Sequence, residues 1–170
     1  MVRGGVYLLH FSRPFRHAKH YLGWARRIPG RVAHHRNGTG ANLTARAVAE
    51  GIELLLVRIW EGADRAQERS LKNAGAATDR CPLCLARSRP VRLGNGCLEA
   101  CGDDAPCACG QPAAFAYRTA RQRRPLCEAC AARLTAKEMT RPRPRRRTVA
   151  CVLPDPASPA PLPPDPSLCF

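Results

Sequence analysis

The sequence predicts an α+β fold, followed by a cysteine-rich region and a low-complexity tail. Three observations point there. Apolar runs of strand length alternate with stretches of helix formers closed by glycine over the first 75 or so residues. All ten cysteines follow residue 80. From Arg141 the chain reads RPRPRRR and then PDPASPAPLPPDPS, a composition that cannot bury enough apolar surface to fold.

The elements follow in order. GVYLLHF, residues 5–11, is a first strand, and SRPFRHA interrupts it as a hairpin loop with a proline and charges. KHYLGW, 19–24, is the returning strand. A helix begins at Ile28 with Pro29 in its first turn, where proline is tolerated, and runs to about Arg36 before NGTG stops it. ANLTARAVAEG holds a second short helix closed by Gly51. IELLLVRIW, 52–60, has the length and branched residues of a buried strand, and ADRAQERSLKNAG, 63–75, is a final helix. The order β-β-α-α-β-α divides the chain into a domain at 1–78, a cysteine-rich region at 79–137 and a disordered basic, proline-rich tail at 138–170. A domain that small buries a modest core, so staples would help it.

Charge narrows the partners. The chain has 28 Lys and Arg against 13 Asp and Glu, a net +15, and arginine carries nearly all of it. No acid precedes Glu50, and all five histidines lie between His10 and His35. Arginine grips phosphate oxygens two at a time, so this balance favours a polyanion, most often nucleic acid. A GC-rich codon bias would also raise Arg, Ala and Pro. The longest apolar run near the start, Val6–Leu9, is too short for a signal core or a membrane span, so no membrane partner is expected and cytoplasmic location is the default.

In such a compartment cysteines stay reduced, and paired cysteines read as zinc ligands. Cys81 and Cys84 with Cys97 and Cys101 form one set, CxxC-x12-CxxxC. Cys107 and Cys109 with Cys127 and Cys130 form a second, which resembles a zinc ribbon with a tight CxC hook. Other groupings, such as Cys81 and Cys84 with Cys127 and Cys130, fit the spacing too. Arg121, Arg123 and Arg124 lie between the thiolate pairs of the second set and suit phosphate contacts.

The two strands carry Gly5-Val6-Tyr7 and Tyr21-Leu22-Gly23; Arg31 and His35 share a helical face, and Glu68 lies in the last helix. On these residues the chain resembles the GIY-YIG endonucleases. The likeness extends to His35-Arg36-Asn37-Gly38-Thr39-Gly40-Ala41 and to the segment from Trp60 to Lys72, and covers about residues 5–84. It implies a three-stranded antiparallel sheet flanked by helices and a metal-dependent hydrolase acting on DNA. Glu68 would hold Mg²⁺ or Mn²⁺, and Arg31 would stabilise transition-state charge. Tyr7 would act as general base or orient the water, Tyr21 would bond to the phosphate or water, and His35 would share proton transfer. Arg27 and Arg36 would touch the nucleic acid, and Lys72 would touch the phosphate or simply pair with Glu68 at i, i+4. RRIPGR stands where the family has an acidic or polar helix cap, a departure that bears on the placement of Arg31. The alternative is a catalytically inactive, zinc-stabilised nucleic-acid-binding protein on the same fold.

Overall fold

A computed structural model describes residues 4–75, 77–101 and 105–140. It is an α+β structure with two antiparallel sheets. The first is built from β1 (Gly5–Phe15), β2 (Ala18–Ala25) and β3 (Leu54–Glu61) in the order β2-β1-β3, so β1 is central. Between β2 and β3 come α1 (Ile28–Arg36) and α2 (Asn42–Ala49), and after β3 come α3 (Arg65–Asn73) and α4 (Ala77–Arg80).

The three-stranded antiparallel sheet is therefore as the sequence predicts, with one change at the hairpin. Residues 12–15 continue β1 rather than looping out, and the turn shrinks to Arg16 and His17. Arg16 takes φ +54°, the left-handed conformation that a tight two-residue hairpin demands. The segment reads as a loop in sequence because its polar residues face solvent, while Phe15 still returns to the core. Further along, α1 does start at Ile28: the Arg31 N–H donates to the Arg27 carbonyl at 3.1 Å, although Arg27 supplies no side-chain cap. α3 is capped by Asp64, which accepts from the Gln67 N–H at 2.8 Å.

Between 81 and 140 the described residues hold more regular structure than the sequence suggests. They form α5 (Pro82–Ala86), then β4 (Val91–Leu93), β5 (Gly96–Ala100), β6 (Phe115–Arg118) and β7 (Arg123–Leu126) in a second antiparallel sheet of order β4-β5-β6-β7, then α6 (Glu128–Thr140). These strands are three to five residues long, too short to show a period in the sequence. The helix also runs three residues into the tail that begins, by sequence, at 138. The remainder of that tail, with Cys151 and Cys169, lies outside the described residues.

The first sheet is buried on both faces. Tyr7, Leu9 and Phe11 of β1 join Ile28 and Val32 of α1 and Ala47 of α2 in one core cluster. Val6, Leu8, Leu22, Leu55 and Val57 join a second cluster with Leu83, Leu93, Leu98, Phe115 and Leu126. The alternation along β1 thus assigns odd-numbered side chains to the helical layer and even-numbered ones to the cysteine-rich layer. Hydrophobic packing crosses residue 78 without a gap, and α6 lies against β3. Among the described residues, no helix is long and apolar enough to cross a membrane.

Candidate active site

Strand pairing sets Tyr7 opposite Gly23 and Leu9 opposite Tyr21, so the two tyrosines are diagonal neighbours on one face with ring centroids 6.4 Å apart. Glycine is required at 23: a Cβ there would stand 2.5 Å from the Tyr7 hydroxyl oxygen and 2.9 Å from the Tyr21 ring. α1 delivers His35 to the same place. Its ring lies 4.7 Å from that of Tyr21, and its Nε2 is 2.8 Å from the Tyr7 hydroxyl. Gly40 makes room for that imidazole, because a side chain at 40 would collide with His35 Nδ1. Gly40 is thus the seat for a buried histidine.

The hydrogen bonds fix how this histidine is protonated. Thr44 has one hydroxyl proton, and it is donated to the Ala41 carbonyl at 2.8 Å. The Thr44 oxygen, 2.7 Å from His35 Nδ1, must then accept, so Nδ1 carries the ring proton. The Ala41 N–H, 3.4 Å from Nδ1, is at the far limit of bonding and does not outweigh this shorter contact. Nε2 is left with its lone pair facing Tyr7, whose hydroxyl donates to it. A directed chain results: Tyr7 to His35 to Thr44 to the Ala41 carbonyl.

Burial tunes both ends of that chain. Tyr7 is 1% exposed and His35 fully buried. Burial pushes the Tyr7 phenol up to about 12, with the Tyr21 hydroxyl and, more weakly, the Glu68 charge adding to it and the Arg31 guanidinium opposing. Burial likewise lowers the His35 imidazole to about 4, helped by the Arg31 guanidinium and, less, by the neighbouring His34. At neutral pH the phenol keeps its proton and the imidazole is uncharged.

The His35 shift has a measurable consequence. Its folded value lies below the ordinary 6.5, so folding favours the neutral ring. The stability this gives is full above about pH 6.5 and is lost as pH falls towards 4. We expect urea unfolding to show a parent protein that loses on the order of 2 kcal/mol more between pH 7 and pH 4.5 than His35→Gln, which cannot titrate. Equal losses in the two proteins would mean that His35 does not stay neutral in the folded state.

The remaining expected residues divide. Arg31 is half-buried beside Tyr7, as its effect on the phenol shows. Glu68 is half-buried on α3, and Lys72 one turn later donates to its Oε1 at 2.7 Å. His34 is exposed and turned to Thr39. Arg27 is exposed next to the site, whereas the Arg36 Nε–H donates to the Leu54 carbonyl at 3.0 Å on β3. Arg121 and Arg124 are exposed, and the Arg123 guanidinium lies 3.8 Å from Glu99.

The cysteines sort into one expected group and one unexpected group. Cys107, Cys109, Cys127 and Cys130 bring their sulfurs within 4.8 Å of one another, as the ribbon-like spacing predicts. Cys109 Sγ is 3.5 Å from Cys127 and 3.8 Å from Cys130. Backbone N–H groups of Cys109 and Cys127 hold the Cys107 thiol down to about 6, which favours the thiolate that a metal needs. This cluster can hold a metal ion such as zinc. Cys81 and Cys84, by contrast, gather with neither Cys97 and Cys101 nor Cys127 and Cys130. They meet His10 and His20 instead. Cys97 is carried away on β5, and Cys101 follows the end of that strand beside Arg123. Sequence spacing missed the histidines because they lie about 60 to 70 residues upstream, on the first sheet, whereas the cysteines open α5.

Comparison with family models, curated proteins and solved structures finds no match to this chain.

Proposed function

We propose that the chain is a metal-dependent endonuclease that hydrolyses DNA phosphodiester bonds. The observation that carries this reading is the buried Tyr7 hydroxyl donating to an unprotonated His35 Nε2, with Arg31 alongside. Phosphodiester hydrolysis needs a deprotonated water, neutralisation of charge on the phosphate, and assistance to the departing oxygen. A phenol held near 12 is a poor base alone. Bonded to an imidazole lone pair, it can take a proton from water while passing its own to His35; burial and Arg31 oppose the charge this puts on the ring, and the Thr44 oxygen accepting from Nδ1–H offsets part of that cost. Arg31 supplies a planar donor for the phosphate oxygens, and Tyr21 a hydroxyl on the same face.

Glu68 is the residue that would hold Mg²⁺ or Mn²⁺. A single carboxylate suits a hard cation that keeps most of its waters, and Lys72 occupies Oε1 only. The bound cation would supply charge neutralisation at the phosphate and the leaving oxygen. The net charge of +15 supports a nucleic-acid partner, with Arg27, Arg121 and Arg124 exposed to receive it. The ion pair between Glu68 and Lys72 favours a second reading, a nucleic-acid-binding protein without catalysis, because it occupies part of the carboxylate.

Nicking of supercoiled plasmid separates the two. With Mg²⁺ or Mn²⁺ the parent is expected to nick, and Glu68→Ala and Arg31→Ala to lose at least about 100-fold in rate while still binding DNA. Binding without nicking by the parent in either metal would establish the second reading.

A further inference from the structure

We propose that His10, His20, Cys81 and Cys84 form a second zinc centre, separate from the four-cysteine cluster and clamping the β1–β2 hairpin to the cysteine-rich layer. Four ligand atoms converge there within 4.8 Å of one another. Zn–S bonds near 2.3 Å and Zn–N bonds near 2.05 Å give a tetrahedron with S···N edges of about 3.6 Å and an N···N edge of about 3.3 Å. The distances from His10 Nδ1 to the two sulfurs are 3.6 and 3.7 Å, and from Cys84 Sγ to His20 Nε2 3.3 Å. The two imidazole nitrogens stand 3.1 Å apart. All four lie close to the edges of a single ZnS₂N₂ tetrahedron.

Pairwise hydrogen bonds do not account for this arrangement. His10 Nδ1 faces three partners at once, and a ring nitrogen has one proton or one lone pair to offer. One cation at the centre engages every member. The surroundings match as well. The other nitrogen of His10, Nε2, points to Glu128 Oε1 at 3.2 Å, and the same oxygen accepts from Arg87 at 2.8 Å. A carboxylate on the far nitrogen of a metal-bound histidine sets its tautomer and aims its lone pair at the ion. His10 and Cys81 are buried and His20 and Cys84 half-buried, and four protein ligands leave no open coordination position, as a structural zinc requires.

Each ligand is placed by ordinary elements. His10 and His20 are directly opposed across β1 and β2, on the face away from Tyr7 and Tyr21. Cys81 and Cys84 lie in the first turn of α5, tied by the Leu85 N–H donating to the Cys81 carbonyl at 3.0 Å. Glu128 falls between Cys127 and Cys130 in sequence, so one residue links the two centres. This assignment does not depend on any catalytic activity.

The test is the metal content and environment of the full chain. The purified parent is expected to carry two zinc ions, and zinc X-ray absorption to show an average of three sulfurs and one nitrogen per ion, the mean of an S₄ and an S₂N₂ site. His20→Ala should fall to one zinc with an all-sulfur environment. Glu128→Gln should weaken one of the two ions by about 10- to 100-fold. One zinc in the parent, or an all-sulfur spectrum in the parent, would overturn the proposal, and these readings need no variant that might misfold. Two zinc ions with an unchanged nitrogen share in His20→Ala would overturn it as well.

Discussion

Tyr7→Phe should abolish at least about 99% of the nicking activity while leaving the fold in place. The substitution removes one oxygen and keeps the ring in the cluster formed with Leu9, Phe11, Ile28 and Val32. What it takes away is the group that would exchange protons with water and with His35 Nε2, 2.8 Å distant. General-base catalysis by a positioned side chain is worth about 100- to 10,000-fold. The structural cost is smaller: His35 Nε2 loses its partner in a buried site, worth about 1–3 kcal/mol. Thermal unfolding followed by circular dichroism should therefore shift by several degrees with an unchanged folded spectrum. Full activity in Tyr7→Phe would remove the tyrosine–histidine relay from the mechanism, even if Glu68 and Arg31 proved essential.

The second large effect concerns the fragment 1–78, the unit that the sequence marks off as a domain. We expect it not to fold. Val6, Leu8, Leu22, Leu55 and Val57 are each 5% exposed or less, and they pack on Leu83, Leu93, Leu98, Phe115 and Leu126 of the part removed. Exposing five such side chains costs roughly 10 kcal/mol at about 1.5–3 kcal/mol each, comparable to the whole stability of a typical domain. The fragment also forfeits Cys81, Cys84 and Glu128. Amide dispersion in a proton–nitrogen NMR spectrum is the readout. A well-dispersed spectrum from 1–78 would show that the first sheet is stable with one face bare.

How much of this was legible beforehand depended on length of pattern. α1, α2 and β3 are long enough for periodicity and glycine stops to mark them, and their observed bounds lie close to those expected from Ile28, Gly51 and the run Ile52–Trp60. Residues 12–15 misled because a strand end whose Ser12, Arg13 and Pro14 face solvent has the composition of a loop. The second sheet was invisible: strands such as Val91–Leu93 and Arg123–Leu126 take their stability from neighbours distant in sequence and carry no signature of their own. The nearness of Tyr7 and Tyr21 was readable from adjacent strands, and His35 joined them only as the resemblance implied. The role of Thr44 was not readable, since a threonine inside a helix gives no sign that its oxygen will face an imidazole. His10 and His20 were hidden for a related reason. Histidines ten apart signal nothing until a tight hairpin sets them opposite each other and a distant CxxC arrives beneath them.

The double burial of the central sheet also bears on how the chain is made. Synthesis proceeds from the N-terminus, and all three strands of that sheet have left the ribosome's catalytic centre once Glu61 is added. The helices that cover one face, α1 and α2, are by then already present. The other face receives Leu71 of α3 and Ala77 of α4 next, but its cover is completed only by α5, the second sheet and α6, whose last buried residue is Thr135. For more than seventy residues of translation the nascent protein carries an incompletely covered apolar wall with two histidines in it. Such an intermediate is a natural client for chaperones and is prone to self-association. Expression of this protein should consequently be sensitive to elongation rate and to chaperone supply, more than its modest size would suggest.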